Sequence, residues 1–381
     1  MKNRFQFSRL LRSITLYPIA VILYSCEPIA NHFDDVEEAI MYRSSTIKDF
    51  PSKKTIKVMT WNIRFGAGRF PFFGDSCGEG VLAPDETVQN TIEAIADQLN
   101  SLDADIVFLQ EVDLSSKRTG YLNQVQYLLD NTYLNYGAYA SMWESDFIPT
   151  DGIGRINTGN AILSKYELTD AERIQLRLRT DQDDLIQYFY LRRNILKVRV
   201  PVLDVGPKQF FAVDIHATAF ATDDTKEQHI LKYIEVLKQI EDSNNVFVTG
   251  GDLNAVPPGS VIDFCESDMC PNETFHEESS ESFHNEGSFF ENFPGEPDIL
   301  VPLYDVYSPA IDSTFFNMPQ HFTHAPVTSM VNDSTYTKYD RKLDYLFTNG
   351  AWLPGSGSTH QSAWQISDHM PVSAIFDPAG D

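Results

Sequence analysis

The stretch Asn245-Val246-Phe247-Val248-Thr249-Gly250-Gly251-Asp252-Leu253-Asn254 sets a carboxylate and an amide two residues apart at the end of an apolar run. In extended backbone, side chains at i and i+2 point the same way, so Asp252 and Asn254 can address one bound group together. Gly250 and Gly251 let the chain turn sharply and approach a ligand with no Cβ in the way. The same residues also read as a buried strand entering a Gly-Asp turn, with Asn254 capping local backbone. Other apolar runs end in similar groups: Ile56 to Trp61 meets Asn62, Asp105 to Leu109 stops at Gln110-Glu111, and Phe211 to Ile215 ends at His216. A polar group recurs at each strand's end, where it can meet a bound molecule.

The elements that must position these groups follow from periodicity. Ile56, Val58 and Thr60 alternate with Lys57, Met59 and Trp61, a strand pattern. After a Gly-rich loop from Gly66 to Gly80, Pro84 and Asp85 open a helix whose Val88, Ile92, Ile95, Leu99 and Leu102 repeat at four and three. Asp105 to Leu109 is nearly continuous in apolar residues, as expected of a central strand covered on both sides. A second amphipathic helix is predicted around Leu122, Val125, Leu128 and Leu129, then a polar, Gly-containing loop from Ser145 to Thr158, then a buried strand from Gly159 to Ser164. Gln187 to Val200 reads as one bent strand or one side of a hairpin. Phe211, Val213 and Ile215 face one way, Asp214 and His216 the other. Ile230, Tyr233, Ile234, Leu237 and Ile240 mark the next helix; strands return at Lys342 to Phe347 and Val372 to Phe376, around a turn from Ser367 to Pro371. Strands alternate with helices early and dominate later, which predicts an α/β fold of two packed sheets with helices outside.

The 381 residues suffice for a sizeable core, and 54 acidic against 29 basic residues give a net charge of -25. That field opposes general nucleic-acid binding and docking on anionic lipid, although bound divalent cations can offset it locally. The first 25 residues read as an export signal: Lys2, Arg4, Arg9 and Arg12, then a mostly apolar run from Ile14 to Tyr24 that is too short to span a bilayer. It ends in Leu23-Tyr24-Ser25-Cys26, which resembles the lipobox of bacterial lipoproteins, with Cys26 as the lipid-modified residue. An uncleaved anchor or an ordinary secretory signal is the competing reading. Cys77, Cys265 and Cys270 follow no zinc or thioredoxin spacing and read as structural; Cys265 and Cys270 could close a small loop. Residues 26–54 read as a polar tether, with a docking helix as the alternative, and 55–381 as the domain, with an acidic, Ser-rich insertion over 272–298.

Thr60-Trp61-Asn62-Ile63, Leu109-Gln110-Glu111, Asp214-Ile215-His216, Gly250 to Asn254, Lys342-Leu343-Asp344-Tyr345 and Ser367-Asp368-His369 occur in the order found in the endonuclease/exonuclease/phosphatase superfamily. Each motif is weak by itself; all in order over about Thr55 to Pro378 is a specific resemblance. It implies a four-layered α/β sandwich, two mainly antiparallel sheets flanked by helices, and metal-dependent hydrolysis of phosphate esters. Such chemistry needs neutralised phosphoryl oxygens, an aligned water and help for the leaving oxygen.

By the resemblance, Glu111 is the main metal ligand, Asn62 supports the metal or the phosphate, and Asp368 lies near the metal. Asp252 orients the water, Asn254 and His369 hold the phosphate, and Asp344 fixes the His369 imidazole, unless it merely pairs with Arg341 or Lys342. His216 matches the histidine that is a candidate acid for the leaving group, with a satisfied strand-end histidine as the competing reading; apart from the resemblance, Asn160 and Arg155 could reach substrate phosphate, against ordinary loop and strand packing as the stronger reading. Hard oxygen ligands imply Mg²⁺, with Mn²⁺ able to substitute. The expected substrate is a phospholipid, sugar phosphate or nucleotide-derived ester; a nuclease acting on nucleic acid is the alternative. Arg192, Arg193, Lys197 and Arg199 form the one dense basic cluster, which argues against a track for duplex DNA without excluding it. A degenerate surface binding protein is the third reading, opposed by the full set of metal and water residues. A monomer held to the envelope through its N-terminal lipid alone completes the expectation, with Phe70 to Phe73 either touching an apolar group or packing inside.

Overall fold

The computed structural model describes residues 30, 32–50, 53–74, 78–149, 152–219, 221–260, 296–315, 317–326, 330 and 338–378. The export signal with Cys26, the other three cysteines and the acidic stretch up to residue 295 lie outside them. The expected tether is not free chain. β1 (Val36–Glu38) pairs antiparallel with 172–174 and β2 (Ile40–Arg43) with 136–139, so this segment joins both sheets before Thr55. Short edge strands are held by backbone hydrogen bonds and leave Val36, Ile40 and Met41 exposed, so no burial pattern marked them.

β3 (Ile56–Asn62) and β4 (Ile106–Asp113) run parallel and are joined across by α1 (Asp85–Leu102), because parallel neighbours need a crossover. α2 (Gln124–Asn131) follows, its first turn capped by the Asn123 side chain accepting from Gln126 N. β5 (Tyr136–Ile148) and β6 (Gly154–Ser164) form a long hairpin, so most of the expected loop from Ser145 to Thr158 is paired strand. Ladder pairing there overrides a polar composition. After β7 (Thr169–Gln175), α3 (Asp184–Phe189) is capped by Asp183 and buries none of its residues; β8 (Asn194–Arg199) begins only then. Gln187 to Val200 is therefore a helix end, a connection and a strand. Its aromatic residues suggested β structure, but the Asp183 cap decides the first part.

β9 (Phe210–His216), α4 (Thr225–Asp242) and β10 (Val246–Asp252) repeat the parallel β-α-β unit in the other sheet. Glu296–Ile299, the tail of the acidic stretch, is helical, and Glu296 pairs with Lys226 of α4 at 2.8 Å. β11 (Ser308–Pro309), β12 (Asp344–Thr348), β13 (Ala351–Trp352), β14 (Ser358–Thr359) and β15 (Val372–Asp377) complete the sheets, all antiparallel to their partners. The orders are β1-β7-β8-β9-β10-β12-β11 and β13-β15-β3-β4-β6-β5-β2, with β14 on β15.

Alternation along the strands builds the layers. Ile56, Val58, Ile106 and Phe108 face Phe210, Ala212, Val248 and Leu346 across the sheet interface. Met59, Trp61, Val107 and Leu109 turn outward onto Ile92, Ile95, Leu99 and Leu128 of α1 and α2. Val213, Ile215, Phe247 and Phe347 do the same against Ile230, Tyr233 and Leu237 of α4. The result is a helix, sheet, sheet, helix sandwich. Burying each such side chain contributes roughly 1.5–3 kcal/mol, so the two sheets are rigid platforms for whatever stands at their edge.

Candidate active site

Both parallel pairs end at the same edge of the sandwich. Asn62 and Glu111 stand at the carboxyl ends of β3 and β4, His216 and Asp252 at those of β9 and β10. The antiparallel neighbours bring their starting ends to the same place: Asp252 is in register with Asp344, and Val372 with Thr60, which sets Asp368 and His369 just before β15 beside Asn62. Local irregularities aim the side chains. The β4 ladder slips between Leu109 and Val112, and Glu111 takes φ 56, a bulge that turns its carboxylate out of the sheet into the cleft. Gly251 has φ 144, and a Cβ there would lie 1.8 Å from Ile215 O, so only glycine lets β9 and β10 come together this closely ahead of Asp252.

Hydrogen bonds then tie the groups into one cluster. Asn62 Nδ2 donates to Glu111 Oε1 and to Asp252 Oδ2, both at 3.1 Å, while its Oδ1 accepts from Arg64 N. His216 Nε2 is 3.3 Å and His369 Nε2 3.7 Å from the same Asp252 Oδ2. His369 Nδ1 is 2.8 Å from Asp344 Oδ2. Ser367 Oγ accepts from His369 N and donates to Asn62 O, and Trp61 Nε1 donates to His369 O, which locks the turn onto β3. Asp252 Oδ1 accepts from Asn254 N, and Asn254 Nδ2 donates to Ala217 O.

Charge is strongly perturbed here. Burial pushes Asp252 up to about 6, with Asp344 adding repulsion and His369 and Asn62 opposing it. Glu111 is raised by burial and by the Asp368 charge. Burial also works against Asp368, but Arg64, with Nε 3.2 Å from Oδ2, and His369 more than reverse it, to about 2. For His369, burial opposes the charge and Asp344 and Asp252 overcome it, so its imidazole is raised well above its ordinary value. His216 is driven the other way by burial, Arg193 and His369, and is neutral. Glu111 and Asp368 keep 27% and 23% of their side chains exposed, the two carboxylates of the cluster that reach the cleft. Two hard oxygen donors whose charges repel fit a divalent cation between protein and phosphate. A buried Asp252, Asp344 and His369 group has ligand atoms within 4.8 Å of one another, but its imidazole Nδ1 is already taken by Asp344.

The structure thus brings together Asn62, Glu111, His216, Asp252, Asn254, Asp344, Asp368 and His369. The Asn62 oxygen is bound by backbone, so its amide N–H groups bridge the Glu111 and Asp252 carboxylates and orient them. A neutral His216 is a weak starting point for the proton-donor role. Asp344 pairs with the histidine; Lys342 Nζ reaches only its carbonyl. Asn160 is wholly buried and donates to Asn194, so it meets the cleft at most through its unpartnered Oδ1. Arg155 is exposed, 3.9 Å from Asp146 on the hairpin. Phe72 packs against Phe65 and Phe73 in a satellite core. Sequence reasoning missed Arg64, the partner of Asp368, and Thr323, whose Oγ1 accepts from the backbone of Leu343 and Asp344. It also missed Gln110, which donates to buried Asp214 at 2.6 Å across the sheet interface. The polar strand-end pattern that flagged Glu111 covers Gln110; nothing in spacing marks the other two.

The sequence model of the Endonuclease/Exonuclease/phosphatase family matches residues 59–369. No curated protein matches the chain in sequence. Among solved structures, an endonuclease/exonuclease/phosphatase from Beutenbergia cavernae DSM 12333 is similar at 16% identity and a TM-score of 0.50, over 85% of this chain and 72% of that one. A family protein from Leptotrichia buccalis C-1013-b is similar at 14% identity and a TM-score of 0.50, over 84% and 98%. At such identities the likeness is one of fold.

Proposed function

The chain belongs to the endonuclease/exonuclease/phosphatase family, whose members hydrolyse phosphate esters with a divalent metal, and we propose that it is a Mg²⁺-dependent phosphoesterase acting outside the cytoplasm. The observation that carries this reading is the convergence of two histidines of opposite charge preference and the Asn62 bridge on one Asp252 oxygen. Asp252, raised by burial, is poised to take a proton from water. His369, held cationic by Asp344, presents N–H to a phosphoryl oxygen. Neutral His216 limits where the Asp252 carboxylate can lie. Glu111, oriented by Asn62, and Asp368, oriented by Arg64, would hold the cation, which supplies Lewis-acid stabilisation of the phosphoryl oxygens.

The substrate class follows from charge: with a net -25, a small phosphate ester such as a phospholipid headgroup, sugar phosphate or nucleotide derivative suits the cleft better than duplex nucleic acid. The basic cluster supports this reading, since Lys197 is engaged by Glu172 at 2.7 Å and Arg199 is paired with Asp204. Attachment through Cys26 would place the site at the cell envelope. Among the described residues no helix is long and apolar enough to cross a membrane. The test is a panel of sphingomyelin, lysophospholipids, inositol phosphates, nucleotides and DNA with Mg²⁺, with EDTA, and with Glu111→Gln. Turnover of one class that EDTA and the substitution both abolish is expected; turnover indifferent to both refutes the proposal.

A further inference from the structure

We propose that the cavity between the segment entering β1 and the end of β7 is a second binding site, which takes the oxyanion head, carboxylate or phosphate, of a small molecule. The cavity holds about 460 Å³, and none of the residues gathered at the candidate active site lines it. Its walls include His32, Phe33 and Asp35 from the chain before β1, Gln175 and Arg177 from the end of β7, and Arg192 from the approach to β8. Backbone bonds build it: Gln175 N donates to Asp35 O and Leu176 N to Arg193 O, both at 2.9 Å, so the three segments run side by side.

Two buried guanidiniums supply the charge. Arg192 is 6% exposed, and no carboxylate among the described residues pairs with it. Its Nη1 gives to the Tyr190 carbonyl at 3.0 Å and at longer range to those of Tyr188 and Gln187, while its Nη2 lies 3.1 Å from His32 Nδ1. A guanidinium only donates, so that His32 nitrogen accepts, and the ring keeps a proton on Nε2 for a ligand. Arg173 adjoins it at 1% exposure: it donates to Ser141 O, Gln175 Oε1 and Arg192 O, stacks on the Phe33 ring at 3.8 Å, and leaves Nη1 without a partner among the described residues. Glu37 stops 3.8 Å from its Nε. Burial, with Arg192 adding to it and Glu37 opposing, pushes Arg173 down to about 10. Adjoining cations without a full counter-charge are costly to bury, and an anion beside them removes that cost. Arg177 is already held by Asp224 at 2.9 Å, and exposed Asp35 pairs with no arginine among the described residues. Arg192 is thus the cation left to grip a ligand. Its Nε makes no hydrogen bond among the described residues, so the edge formed by Nε and Nη2 can give two parallel bonds to a carboxylate or phosphate. In a chain of net charge -25 such a local excess of positive charge is a specific attractor for anions.

The experiment titrates the full chain calorimetrically with inorganic phosphate and with benzoate, in EDTA so that no divalent cation fills the catalytic site, as wild type, Arg192→Gln and Glu111→Gln. Wild type should bind at least one of the two and melt higher in its presence. Phosphate alone marks a site for the bare tetrahedral head; benzoate marks a carboxylate whose ring lies against Phe33. Arg192→Gln should weaken binding roughly 10- to 100-fold, since hydrogen bonds to charged groups are lost, and should lose the ligand-induced rise in melting temperature. Glu111→Gln should bind as wild type does. Binding of neither probe by wild type, or unchanged affinity in Arg192→Gln, overturns the proposal. So does loss of binding in Glu111→Gln, which puts the anion in the catalytic cleft. A purely structural Arg192 would lower the ligand-free melting temperature of Arg192→Gln and leave the ligand-induced rise intact, and that result also overturns it. If Arg192→Gln does not fold, Phe33→Ala, which opens the opposing wall and should weaken binding too, is read by the same two measurements. Hydrolysis of bis(4-nitrophenyl) phosphate with Mg²⁺ should be unchanged in Arg192→Gln; its absence in every protein counts against the phosphoesterase reading alone.

Discussion

Asp344→Asn isolates what the carboxylate does for His369. Asp344 is fully buried, its Oδ2 lies 2.8 Å from His369 Nδ1, and its Oδ1 has no partner among the described residues. The amide is nearly isosteric, and its oxygen can still accept from Nδ1–H, so packing survives. The imidazole can shed its proton to relieve the lost counter-charge, so the cost should be about 1 kcal/mol at alkaline pH and grow towards about 3–5 kcal/mol as pH falls and a lone imidazolium must stay buried. The imidazolium, however, loses its counter-charge and its guarantee of tautomer. If His369 donates to the phosphate in the transition state, the loss is roughly 10²- to 10³-fold in turnover, or about 3–4 kcal/mol. The pH response carries a sign. In wild type the raised His369 contributes stability that is complete below about pH 6.5 and is lost as pH rises through its own higher pKa. In Asp344→Asn that alkaline decline should flatten, and the alkaline limb of activity should move to lower pH. Turnover of the best substrate and thermal unfolding from pH 5 to 9 would check both. A fall in turnover that merely tracks a fall in melting temperature, or no fall at all, refutes the positioning role.

His229 accepts from Thr218 N at Nδ1 and sits 2.7 Å from Arg177 O at Nε2, where a neutral ring with its proton on Nε2 satisfies both; burial lowers its pKa to about 4. The group is depressed, so its contribution of about 2–4 kcal/mol is present at neutral pH and lost as pH falls from about 6.5 to 4; His229→Asn should be less stable at pH 7 but lose less on acidification, as urea midpoints will tell. Gly251→Ala forces a Cβ onto Ile215 O and should cost about 3 kcal/mol or more, so a melting temperature equal to wild type would contradict the close strand approach. Cys26→Ser should release the protein from membrane fractions or block its maturation; normal processing and fractionation would end the lipoprotein proposal.

Periodicity was enough for the platforms. The alternation in β3, the continuous apolar run of β4 and the three-four repeats of α1 and α4 are local records of which faces are covered, and they were legible as two packed sheets with outer helices. Strand ends marked Asn62, Glu111, His216 and Asp252 in the same way. Where local and long-range forces disagree, the reading slipped: β1 and β2 are held by backbone pairing, the β5–β6 tip by its ladder, and α3 by the Asp183 cap.

The sequence alone determined that carboxylates, amides and imidazoles stand at the ends of strands, because a strand's end is written in the residues beside it. Only the tertiary structure decided that residues 62, 111, 216, 252, 344 and 369 meet, that Asn62 gives its N–H groups and not its oxygen, and that His216 and His369 are pushed to opposite charges. Those properties belong to separations of up to 308 residues along the chain, as in the Trp61 to His369 bond, and to burial. Distance in space and loss of solvent depend on how two sheets close on each other, and no local pattern encodes either.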